Sequence, residues 1–124
     1  MIDIIQIKNI LTNFKEIEFA YLFGSYTNDT ANEYSDIDIA VYIKKEYNNF
    51  DTILKIHHSL EITLKKEIDI ISLNKIKNFE LLKSIFDDGI VLIDSKDDTR
   101  DMFELNKTHE MQDYEVFKRF LDVA

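Results

Sequence analysis

In Phe19-Ala20-Tyr21-Leu22-Phe23-Gly24-Ser25 a run of five apolar residues stops at a glycine, and ten residues later Asp36-Ile37-Asp38-Ile39-Ala40-Val41-Tyr42-Ile43 begins a second run. Both have the β-branched and aromatic composition of strands. Side chains alternate across a strand, so Asp36 and Asp38 point one way while Ile37, Ile39 and Val41 face the other. Strands are depleted in Asp. Two carboxylates at the opening of one strand therefore converge on one small volume.

Working outward, Ile4, Ile7, Leu11 and Phe14 recur at helical spacing ahead of the first strand. Between Asn48 and Lys66, the residues Phe50, Ile53, Leu54, His57, Leu60 and Leu64 form an apolar helical stripe. A third strand, Ile68 to Leu73, follows. Phe79, Leu82, Ile85 and Phe86 repeat helically up to Asp87-Asp88-Gly89, where a left-handed glycine is expected to end the helix. Ile90 to Ile93 reads as a short strand, and about 98–121 as a C-terminal helix. Its face carries Tyr114, Phe117 and Leu121 but is interrupted by Asn106, Lys107 and Glu110.

The order α-β-(short helix)-β-α-β-α-β-α predicts an α/β fold, a small mixed β-sheet with flanking helices. With 124 residues, no proline and only Gly24 and Gly89, nothing marks a linker, so one domain over 1–124 is expected. No apolar run nears the roughly 20 residues that cross a bilayer, and the N-terminus lacks signal-peptide features. The expectation is a cytoplasmic protein with no membrane association.

The chain has no cysteine, which excludes thiolate metal sites, disulfides and Cys nucleophiles. Its 15 basic against 24 acidic residues give a net charge of −9, which repels a phosphate backbone. Direct nucleic-acid binding is therefore disfavoured and a basic protein partner favoured. Residues 97–124 contribute eight acidic and four basic side chains, a local charge of −4.

A third aspartate, Asp69, lies inside Ile68-Asp69-Ile70-Ile71. If it projects onto the face of Asp36 and Asp38, three like charges raise one another's pKa unless a cation compensates them. Hard oxygen ligands without Cys point to Mg²⁺ or Mn²⁺. Gly24 and Ser25, where the first strand gives way to a turn, offer backbone N–H groups and a hydroxyl to an anion. The plainer readings are solvated carboxylates for Asp36 and Asp38, and for Asp69 an ion pair with Lys65 or Lys66. His57, His58 and His109 have no ligand spacing and read as structural or surface residues. Tyr26 fits a packed side chain or a nucleotide contact equally well.

Gly24-Ser25, ten residues, Asp36-Ile37-Asp38 and a later strand Asp69 resemble the signature of the DNA polymerase beta-like nucleotidyltransferases. By chance the four fixed letters would occur in about one per thousand chains of this length, so coincidence is a weak explanation. The short length is similar to the minimal nucleotidyltransferase (MNT) members, many of them antitoxins paired with HEPN-domain toxins.

The resemblance implies ATP as nucleotide donor, and Asp36, Asp38 and Asp69 as catalytic and metal-binding residues. It places Gly24 and Ser25 at the phosphates. It further implies transfer of AMP to a tyrosine hydroxyl of a HEPN-type RNase toxin, which neutralises the toxin. The alternatives are an antitoxin that acts by binding alone and a small-molecule nucleotidyltransferase of the aminoglycoside-modifying kind. Minimal members usually carry Arg and Gly where this chain has Asn28 and Asp29. Lys44, Lys45 or a partner residue is then expected to supply the missing positive charge.

Overall fold

The computed structural model describes residues 2–28, 30–32 and 34–123. Its elements are α1 (Ile4–Thr12), β1 (Ile17–Phe23), a 3₁₀ turn (Gly24–Thr27), β2 (Ile37–Ile43), a second 3₁₀ turn (Lys45–Tyr47), α2 (Phe50–Leu64), β3 (Ile68–Ser72), α3 (Phe79–Asp88), β4 (Ile90–Ile93) and α4 (Thr99–Val123). The chain divides into two compact units, with the boundary between Asp94 and Ser95. Among the described residues, no helix is long and apolar enough to cross a membrane.

In the first unit the strands lie in the order β3-β2-β1-β4. β1 pairs antiparallel with β2 and with β4, and β2 pairs parallel with β3, the connection running through α2. Parallel neighbours cannot be joined by a tight turn, which is why a helix intervenes. One face of the sheet presents Ala20, Leu22, Ile37, Ile39, Val41 and Ile43 to a core completed by α1 (Ile7, Ile10, Leu11) and α2 (Ile56, Leu60). The opposite face is aromatic. Phe19 stacks on Tyr42 with centroids 4.9 Å apart, meets Tyr21 edge-on at 5.9 Å, and Tyr21 leans against Phe86 of α3. Asp38 belongs to this second face by the alternation of β2.

Short polar side chains cap the helices of this unit, accepting N–H groups that have no partner inside the helix. The Asp3 carboxylate accepts from Ile5 and Gln6, the Asn49 side chain from Thr52, and that of Asn78 from Leu81. The helix ends correct one expectation. Gly89 closes α3 with φ −68° and ψ 152°, an extended and not a left-handed conformation. Glycine is required there for space, since a Cβ would run into the carbonyl oxygen of Ile85. The left-handed residue is Lys65, φ 53°, which ends α2 and donates its N–H to the Glu61 carbonyl at 2.9 Å.

The second unit is α4 with its lead-in. Asp97 accepts from the Thr99 N–H and hydroxyl, and Ser95 Oγ accepts from the Arg100 N–H. Arg100 pairs with Glu104 at 2.9 Å and Lys107 with Glu110 at 3.1 Å. Tyr114, Phe117, Phe120 and Leu121 are exposed.

Candidate active site

Strand pairing brings the three motif segments to one end of the sheet. Phe23, the last residue of β1, lies opposite Asp38, and on the other side of β2 the parallel register sets Asp38 beside Asp69. Residues at matched positions of adjacent strands point to the same face about 5 Å apart, so the Asp38 and Asp69 carboxylates are neighbours. Asp36 stands one step outside β2, close enough for its charge to act on the Asp38 carboxyl. It was expected to open the strand, which begins instead at Ile37.

Burial pushes the Asp38 carboxyl up from its usual 3.8 to about 6, reinforced by the charges of Asp69 and Asp36 and by a hydrogen bond with Asp69. That hydrogen bond needs a proton between the two carboxylates. The cluster is thus poor in positive charge and holds a proton more tightly than an ordinary carboxylate does. Among the described residues, no three acidic or His side chains stand arranged to hold a metal ion unaided. The donor set still fits a hard divalent ion. Mg²⁺ sites are usually completed by one or two carboxylates together with water and substrate phosphates, not by a closed protein cage.

The raised Asp38 pKa carries a sign that can be tested. A carboxyl whose folded pKa exceeds its unfolded value gives stability that is complete below the unfolded value and is lost as pH rises through the folded one. In chelator, the urea midpoint of the protein is expected to rise as pH falls from about 7 to about 5. Asp38 is partly exposed, so after discounting for solvent the gain is about 1 kcal/mol. Glu16, held below its usual range mainly by a hydrogen bond from Lys55, titrates beneath that window and does not mask it. An Asp38→Asn variant with the same pH response as the wild type would show that the cluster is not its source.

Gly24 is fixed by two constraints. Its φ is +81°, in the region that side chains disfavour. A Cβ on it would also overlap the Asp38 carboxylate, with Cγ at 3.0 Å and Cβ at 3.3 Å. The glycine thus lets the turn close directly over Asp38. Ser25 follows in the 3₁₀ turn, where its carbonyl accepts from the Thr30 N–H and the Gly24 carbonyl accepts from the Thr27 hydroxyl.

Sequence reasoning did not find the ties behind these residues. The Tyr26 hydroxyl donates to the Ser35 carbonyl at 3.3 Å and accepts from Lys66 Nζ at 3.1 Å. His57 is tied to the backbone: Nε2 of its ring is 2.7 Å from the Ile68 carbonyl, which only accepts, so Nε2 is the donor. Nδ1 lies 3.1 Å from Glu61. Asn28 shapes the loop by accepting from the Thr30 N–H and hydroxyl; Asp29 lies outside the described residues. Lys44 and Lys45 cannot reach the site, because Lys44 follows the far end of β2, about 20 Å along the strand from Asp38. Lys66 does meet the turn, through the Tyr26 hydroxyl.

Residues 5–98 match the polymerase beta nucleotidyltransferase family, a span that includes Gly24, Ser25 and all three aspartates. The chain belongs to this family. The chain is also 36% identical over 84 residues, 67% of its length and 84% of the relative's, to the "Putative protein adenylyltransferase" of Methanocaldococcus jannaschii. In fold it is similar to a chain of a toxin–antitoxin complex crystallised with AMP-PNP, with TM-score 0.79, 21% identity and coverage of 97% of this chain and 95% of that one. It is similar also to a chain of the complex of tri-AMPylated Shewanella oneidensis HEPN toxin with MNT antitoxin, with TM-score 0.70, 19% identity and coverage of 96% and 95%. A mixed sheet with flanking helices, expected from the order of elements, is the fold of this nucleotidyltransferase family.

Proposed function

We propose that this protein is an antitoxin that transfers AMP from ATP to a tyrosine hydroxyl of a HEPN-type RNase toxin and so neutralises it. The observation that carries the reading is Asp38, set between Gly24 on one side and Asp69 on the other. Family membership supports nucleotidyl transfer. The adenylyltransferase relative supports a protein acceptor, and the folds found in toxin–antitoxin complexes support the class of partner.

Asp36, Asp38 and Asp69 would hold divalent metal, Mg²⁺ or Mn²⁺, which when bound neutralises the triphosphate and makes an attacking hydroxyl more acidic. Ser25 and the backbone amides of its turn hold the terminal phosphates, and Gly24 keeps the approach clear. Asp69, exposed at the strand edge, faces the incoming acceptor. The tyrosine oxygen forms a bond to the α-phosphorus while the bond from that phosphorus to the bridging oxygen breaks. Pyrophosphate departs with the bonding pair, and the phenolic proton passes to a carboxylate or to water.

The net charge of −9 steers the protein toward the basic surface an RNase needs for its substrate. AMP on the toxin adds bulk and negative charge where a phosphate backbone must bind. Co-expression with a HEPN-type toxin, followed by intact-mass spectrometry, tests the proposal. The toxin is expected to gain the mass of one or more AMP groups with the wild type and none with Asp36→Asn/Asp38→Asn. A toxin that is neutralised but unmodified in both samples would establish neutralisation by binding alone.

A further inference from the structure

The three segments that make up the site come from distant parts of the chain: the turn Gly24–Thr27, the start of β2 and the start of β3. One hydroxyl ties the turn to the residues just ahead of both strands. Tyr26 lies in the turn itself, and its ring packs partly buried against the core. Its hydroxyl donates to the carbonyl of Ser35, the residue before Asp36. The same oxygen accepts from Lys66 Nζ, three residues before Asp69, and the ammonium also sits 5.8 Å from the centre of the Tyr26 ring. The backbone joins the last two segments where the Ile37 N–H donates to the Glu67 carbonyl at 3.0 Å.

Resting on the nucleotidyl-transfer reading above, we infer that Tyr26 is a positioning residue, whose hydroxyl locks the phosphate turn to both carboxylate-bearing strands through Ser35 and Lys66. A ring alone would serve packing. The hydroxyl serves registration, because it fixes where Ser25 stands relative to Asp36, Asp38 and Asp69. Errors of about an ångström between reacting groups cost on the order of a hundredfold in rate, so a tie of this kind acts on turnover more than on binding. Lys66 contributes by holding the phenol oxygen so that its single proton is aimed at Ser35. The charge of Lys66 also attracts the ring face.

The test compares Tyr26→Phe, Lys66→Met, the double variant and Lys66→Arg, by AMP transfer to the toxin and by amide hydrogen exchange of the free protein. Tyr26→Phe and Lys66→Met are each expected to lower kcat about tenfold with KM for ATP changed less than about twofold. The double variant is expected to be no worse than either, since both remove one shared tie, and Lys66→Arg to keep most of the activity. In the free protein both single variants are expected to speed exchange of the Ile37 and Thr30 amides about tenfold while leaving Leu22 unchanged. Unchanged kcat in Tyr26→Phe, or losses that add in the double variant, would overturn the positioning role. If the wild type transfers nothing, the proposed function fails. The exchange data then decide the lock separately, faster exchange at both amides supporting it and unchanged exchange overturning it.

Discussion

Asp38→Asn is expected to abolish AMP transfer, by on the order of a thousandfold or more, while making the metal-free protein more stable at neutral pH. The two effects have one origin. Asn has the shape of Asp and can donate to Asp69 without needing a proton between them, so the local packing and the space under Gly24 are preserved. What disappears is one of three crowded negative charges, the one that burial, Asp69 and Asp36 together push up to about 6. At neutral pH and without metal, that charge opposes folding. Its removal should therefore raise the melting temperature in chelator by about 2–4 °C. On the proposed reading the sign is expected to reverse with metal and ATP, because the same charge would then hold the ion against the triphosphate. Melting curves in chelator and transfer assays in Mg²⁺ measure the two halves. A variant that melts lower than the wild type would mark Asp38 as structural, and one that keeps a tenth of the activity would remove it from the site.

The same carboxylates show how far the sequence could be taken. Alternation along one strand is a local property, so the side of β2 that Asp38 takes needs nothing beyond its spacing from Ile37 and Ile39, whereas Asp36 lies one residue outside the strand. Asp69 required more. Its neighbourhood with Asp38 depends on the register of two parallel strands separated by α2, and that register is set by how the helix packs on the sheet. The Tyr26 network is harder still, since its partners lie 9 and 40 residues away and no periodicity announces them. Lys44 and Lys45 are close to Asp38 in sequence. An extended strand turns that closeness into distance. Gly89 marks a helix stop by its residue type, but the cause is the Ile85 carbonyl and not a left-handed turn. Lys65 takes the left-handed position without a glycine to mark it.

Gly24→Ala is expected to lower transfer roughly a hundredfold and to destabilise the fold by about 1–2 kcal/mol. Part of the destabilisation is backbone strain, because φ of +81° places any Cβ against its own chain. The rest is a collision with Asp38. The new methyl would occupy the space of Oδ2, and Asp38 Cγ and Cβ, at 3.0 and 3.3 Å, leave no room for a small adjustment. The carboxylate cannot simply rotate away, since Asp69 lies beside it in register and the aromatic layer of Phe19, Tyr21 and Tyr42 fills the face beyond. Either the turn lifts, carrying Ser25 and Tyr26 with it, or Asp38 leaves the position shared with Asp36 and Asp69. Both outcomes separate the turn from the carboxylates. The double variant Gly24→Ala/Asp38→Ala, measured against Asp38→Ala alone, separates the causes: relative to that background Gly24→Ala should cost only the loss due to φ and no longer the collision, with transfer still absent. Urea denaturation of the single and double variants measures the split. A Gly24→Ala protein as stable and as active as the wild type would mean that the turn does not close over Asp38.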